Sequence, residues 1–131
     1  MEIPENIETH KTALSIMWFD KEGIFCSITK KDSSLNKEAL VSTFNYIRSK
    51  SPDKKICWIG DITDAPPPEK TARDYAAEES PKLIKALALI TKSSLSKMIA
   101  DIFMMVKRPP YPTRMFTNET EAREWIRSYM D

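Results

Sequence analysis

The chain has 131 residues, room for one ordinary domain whose core needs no staple. Its 20 Lys and Arg nearly cancel its 19 Asp and Glu, leaving +1 and none of the basic excess that marks a nucleic-acid partner. No apolar run approaches the roughly 18 residues that span a bilayer. Met1 to Asn6 also lacks the basic start and apolar stretch of a signal peptide, so the expectation is a cytoplasmic protein without stable membrane insertion.

Two scarcities narrow the chemistry. With only Gly23 and Gly60, the chain cannot build a glycine-rich loop around a phosphate. With His10 as its one histidine, it has too few ligands for a His/Cys zinc site, and because His10 reads as lying outside the folded core, a Ser-His or Cys-His pair is not expected. Neither a cofactor nor a metal is expected. Cys26 and Cys57 sit in apolar, strand-like runs and read as buried, reduced thiols.

In chain order, residues 1–11 read as a polar lead-in, with His10 an exposed bystander, and 12–131 as a single domain. Residues 12–19 form a strand, Asp20 to Gly23 a turn with Gly23 free to take positive φ, and 24–29 a second strand pairing as an antiparallel hairpin. Asn36 or Ser34 caps a helix whose stripe is Leu40, Phe44 and Ile47. Residues 55–60 are apolar on both faces, as in a central strand covered on two sides. Pro66, Pro67 and Pro68 lead into a helix from Glu69 to about Glu79, with Ala72, Tyr75 and Ala76 on one side and Pro81 interrupting or ending it. Residues 86–90 suit a buried strand or a helix. Ser93 or Ser94 caps a third helix whose buried stripe is Leu95, Met98, Ile99, Ile102, Phe103 and Val106. Pro109, Pro110 and Pro112 stop it, residues 114–116 form a short strand, and Asn118 with Glu121 caps the last helix. The order β-β-α-β-α-β-α-β-α predicts an α/β domain with a mixed, mostly parallel sheet of about five strands, an N-terminal antiparallel hairpin and about four helices.

The same order resembles STAS-type domains, the anti-sigma-factor-antagonist fold of SpoIIAA, and a bacterial SpoIIAA-like or STAS/SEC14-like branch. The resemblance is carried by Asp20-Lys21-Glu22-Gly23-Ile24, Ile59-Gly60-Asp61-Ile62-Thr63-Asp64, Ala72-Arg73-Asp74-Tyr75 and the run from Lys107 to Thr117 into Glu121-Ala122-Arg123-Glu124-Trp125-Ile126. It covers residues 12–130. It implies a regulatory module that presents the loop 61–71 and the start of the next helix to a protein partner. Phosphorylated relatives carry an Asp-Ser-Ser-Gly-like motif there, and this chain has Asp64 to Ala72 instead, with Thr71 the nearest hydroxyl.

Candidate residues fall into two groups. Asp61, Asp64, Thr71 and Arg73 are candidates for partner binding. The two aspartates end a central strand, where open α/β sheets place ligands, although aspartates also cap turns and a magnesium enzyme would want more carboxylates. Lys107, Arg108, Tyr111 and Arg114 flank a proline-stiffened loop and could hold an anion or carboxylate, with Met104 and Met105 lining an apolar pocket or a dimer seam. The expected function is a non-enzymatic interaction module that docks on a protein partner or on itself. The alternative is a carrier of a small apolar ligand or lipid, suggested by the SEC14-like side of the resemblance.

Overall fold

The computed structural model describes residues 1–95, 97, 98, 100, 101 and 108–130. Asp20 organises the first turn: its carboxylate accepts the N–H groups of Glu22 and Ile24 at 2.9 and 3.0 Å, and Gly23 takes φ +82°. That turn joins β2 (Ser15–Phe19) to β3 (Phe25–Thr29) as an antiparallel pair, with Met17 opposite Ser27. A short β1 (His10–Lys11) pairs with β2, so the sequence expectation for His10 is corrected. His10 lies in the sheet and stacks on Tyr46 with ring centroids 4.6 Å apart, because strand pairing and ring contact outweigh the polarity of its neighbours.

Asn36 starts α1 (Lys37–Lys50) by accepting the Ala39 N–H at 2.9 Å, and Phe44 and Ile47 face the sheet. β4 (Ile56–Asp61) follows, buried on both faces. α2 (Lys70–Leu83) runs without a loop into β5 (Ile84–Ile90), so the segment with two readings is a strand. Pro81 does not end α2 but lies inside its last turn, where its missing N–H costs one bond to the Ala77 carbonyl and the helix gives way to β5 three residues later. Residues 94, 95, 97, 98, 100 and 101 are helical; the rest of the expected third helix lies outside the described residues. β6 (Thr113–Phe116) then pairs with β5, and Asn118 caps α3 (Glu119–Arg127) by accepting the Glu121 N–H at 2.9 Å.

The sheet has six strands in the order β1-β2-β3-β4-β5-β6, antiparallel through β3 and parallel beyond it. It is the expected mixed α/β sheet, with β1 the strand beyond the five foreseen. Alternation along β2, β4 and β5 divides the core in two. Trp18, Ile59, Ala88 and Ile90 pack with Ala122 and Ile126 of α3 on one face, while Met17, Phe25 and Ile84 pack with Phe44 and Ile47 of α1 on the other. Burying each large apolar side chain contributes roughly 1.5–3 kcal/mol, so both layers are needed. Leu95 and Met98, expected on a buried stripe, are 62% and 53% exposed. Among the described residues of this segment Ala100 lines the cleft described below, and Ile99, Ile102, Phe103 and Val106 of the expected stripe lie outside the described residues.

Candidate functional site

Along α2, Ala72, Ala76 and Ser80 recur at i, i+4 and i+8, a stripe of small side chains facing the sheet. Larger residues there would meet Trp58 of β4 and Leu87 and Leu89 of β5. Small ones leave a cleft of about 230 Å³, walled on the far side by Leu40 and Phe44 of α1 and rimmed by Pro109 and Tyr111. Its lining is almost wholly carbon. Gly60 permits the floor: a Cβ there would lie 3.3 Å from Trp58 Nε1 and 3.4 Å from Ser27 Oγ. In that space the Trp58 indole N–H donates to Ser27 Oγ at 2.9 Å.

A second groove of about 350 Å³ shares Arg73, Ala76, Ser80, Pro109 and Tyr111 with the cleft and adds Arg108. Arg73 is oriented by donating to the Pro68 carbonyl at 3.1 Å, which uses one of its five N–H donors. The Tyr111 and Ser80 hydroxyls are hydrogen bonded at 3.0 Å, tying the proline-rich loop to α2. Burial pushes the Tyr111 phenol above its ordinary value, against the Ser80 bond, so it stays neutral at physiological pH. Three candidates from different parts of the chain, Arg73, Arg108 and Tyr111, therefore meet at one mouth.

The remaining candidates lie elsewhere. Asp61 ends β4 on the opposite face, where it accepts the Thr63 N–H at 3.0 Å and the Met1 ammonium at 3.2 Å. Burial raises its pKa, but the Thr63 bonds and the ammonium outweigh that and hold the carboxyl below its ordinary value. Asp64 and Thr71 are exposed, Asp64 on the loop after β4 and Thr71 in the first turn of α2. That loop is held by Glu69 N–H donating to the Leu35 carbonyl at 3.0 Å and by a bridge between Leu35 and Pro68. Arg114 is exposed on β6, its guanidinium 5.3 Å from the Phe116 ring, and lines a different groove. Met104, Met105 and Lys107 lie outside the described residues. Among the described residues, no three His, Cys, Asp or Glu side chains gather as a metal site. No described helix is long and apolar enough to cross a membrane.

One ionic cluster escaped sequence reasoning. Arg123 of α3 donates to Asp20 at 2.6 Å, Glu22 at 3.1 Å and Glu119 at 3.2 Å, and Arg127 donates to Glu22 at 2.7 Å. It fastens the β2–β3 turn to α3 across about a hundred positions of sequence, a separation no local pattern reports. Cys26 lies beneath it, and burial together with the Asp20 charge pushes its thiol up to about 12. Such a thiol remains protonated and inert.

The model of a family described as a domain of unknown function, DUF7793, matches residues 17–130. No curated protein matches the chain. An uncharacterised protein of the DUF3478 family from Shewanella loihica PV-4, with a SpoIIAA-like fold, superposes with a TM-score of 0.61 at 15% identity, covering 92% of this chain and 91% of that one. The resemblance read from the sequence is thus matched by structure: the fold is SpoIIAA-like.

Proposed function

The chain belongs to the DUF7793 family, and from that premise we propose that it is a non-catalytic binding domain for a small apolar molecule with an anionic head. The observation that carries this reading is the carbon-lined cleft with Arg73 and Arg108 at its shared mouth. Apolar contact with Trp58, Phe44 and Leu89 would supply affinity, at about 25 cal/mol per Å² removed from water. The guanidiniums would fix orientation, since arginine meets a carboxylate or phosphate through paired N–H bonds. Ligand sites of this kind combine a mainly apolar lining with a few convergent polar groups.

Calorimetry with decanoate and decanol tests it. Decanoate should bind, decanol more weakly, and Arg73→Ala or Arg108→Ala should bring decanoate down towards decanol. Absence of heat with both, or equal affinity for both, refutes the proposal.

A second reading, docking of a protein partner on the loop 61–71, is favoured by the way that loop is pinned to Leu35 with Asp64 and Thr71 exposed. A rigid, exposed loop loses little entropy on binding. Asp64→Ala and Thr71→Ala should each weaken a purified partner's affinity without lowering the melting temperature; unchanged affinity counts against this reading.

A further inference from the structure

The two edges of the sheet are not alike. β1 has only two residues, too short an edge to offer a ladder, whereas β6 has four and among the described residues pairs only with β5. The β5 strand donates to β6 through Leu87 N–H to the Pro112 carbonyl at 2.9 Å and Thr91 N–H to the Phe116 carbonyl at 3.0 Å. Even-numbered residues of β6 thus spend their backbone groups inward. Because backbone direction alternates along a strand, the N–H and C=O groups of Thr113 and Met115 point out from the sheet. Beside this edge runs a groove of about 660 Å³ whose lining includes two cations, Lys97 and Arg114, two carboxylates, Glu121 and Glu124, and the rings of Phe116 and Trp125. Among the described residues Arg114 has no carboxylate partner: its guanidinium lies over the Phe116 ring, and Glu121 and Glu124 are exposed on α3.

We propose that β6 pairs antiparallel with β6 of a second copy of this chain about a two-fold axis at Met115, joining two six-stranded sheets into one. Hydrogen bonding alone would equally allow an axis at Arg114, pairing Thr113 with Met115, and charge decides against that register. Met115 opposite Met115 makes an outward-facing pair that exchanges both backbone bonds. It sets Arg114 opposite Phe116 rather than opposite Arg114, avoiding like charges face to face. Arg114, Phe116 and α3 share one side of the sheet, so each Arg114 reaches Glu121 and Glu124 of the other copy. A two-fold axis doubles every such contact. Of β6 only Thr113 lines the cleft, and the groove of Arg114 shares none of its described residues, so the pairing does not rest on the ligand reading.

Sedimentation velocity across a concentration series tests the pairing directly. The wild-type chain should populate a dimer. Met115→Pro, which removes an outward N–H that β5 does not use, should raise the dimer dissociation constant at least about tenfold with an unchanged circular dichroism spectrum. Arg114→Glu should weaken the dimer, and Glu121→Arg with Glu124→Arg on the same chain should restore it. Met115→Cys supplies a readout independent of proline tolerance. Opposed residues of a bonded antiparallel pair lie about 5.5 Å apart at Cα, inside the range of a disulfide, so oxidation should give a covalent dimer. Cys26 and Cys57 are buried and should not contribute. A wild-type monomer at every concentration, or a dimer indifferent to Met115→Pro and to the charge reversals, overturns the proposal.

Discussion

Replacing Ala76 with leucine separates stability from ligand binding at the cleft. Ala76 is half-buried and lines both the cleft and the groove, so three added carbons enter space that is now empty. At ~0.8 kcal/mol per buried methylene the ceiling is about 2 kcal/mol, and partial exposure brings the expected gain to about 1 kcal/mol. Stability should therefore rise or hold, because the leucine fills a void instead of displacing packed atoms. Decanoate affinity should fall at least about tenfold, which is ~1.4 kcal/mol, because ligand and leucine compete for one volume. Urea unfolding gives the first quantity and calorimetry the second. A loss of more than about 2 kcal/mol of stability would mean the space is already filled in solution. Unchanged affinity in a stable variant would mean that the ligand sits elsewhere. Either outcome refutes the reasoning.

Arg123→Ala should destabilise the fold by about 2–3 kcal/mol in urea, since it leaves the Asp20 carboxylate, only 10% exposed, with backbone N–H donors but no cation, while leaving decanoate binding intact. Acid should weaken the fold. The hydrogen bond from Arg127 holds Glu22 below its ordinary 4.5, and Asp61 is also lowered. A depressed folded pKa gives stability that is complete above the unfolded value, so urea midpoints should be flat above about pH 5 and fall below about pH 4. Gly60→Ala should cost about 1–3 kcal/mol and alter tryptophan fluorescence, because the new Cβ crowds Trp58 and Ser27. Cys26 should resist a thiol reagent at neutral pH until the protein unfolds, and immediate labelling of the native protein would contradict its burial.

What the sequence made legible was local. The apolar run at 55–60 marked a central strand, and Asn36 (with Ser34 as the alternative) and Asn118 marked helix starts, because strand burial and side-chain capping are decided by near neighbours. β1 escaped because two polar residues, His10 and Lys11, have too short a period to read, and their place is set by β2. Leu95 and Met98 show the limit of periodicity: it gives an apolar stripe but not what covers it. The mouth of the cleft was visible only as separate residues. Arg73 stood with the partner-binding group and Arg108 with the anion-binding group, and only the approach of the proline-rich loop to α2, held by Tyr111 and Ser80, brings them together. The alanine spacing at 72 and 76 was visible as a helix face. Its meaning as empty space needed the sheet beneath it.

Native mass spectrometry of the protein purified from bacteria tests ligand binding most directly. A discrete added mass, matching a small anionic amphiphile and missing from Ala76→Leu and Arg73→Ala, is the result expected. A bare chain mass in all three, still bare after incubation with decanoate, would contradict the account.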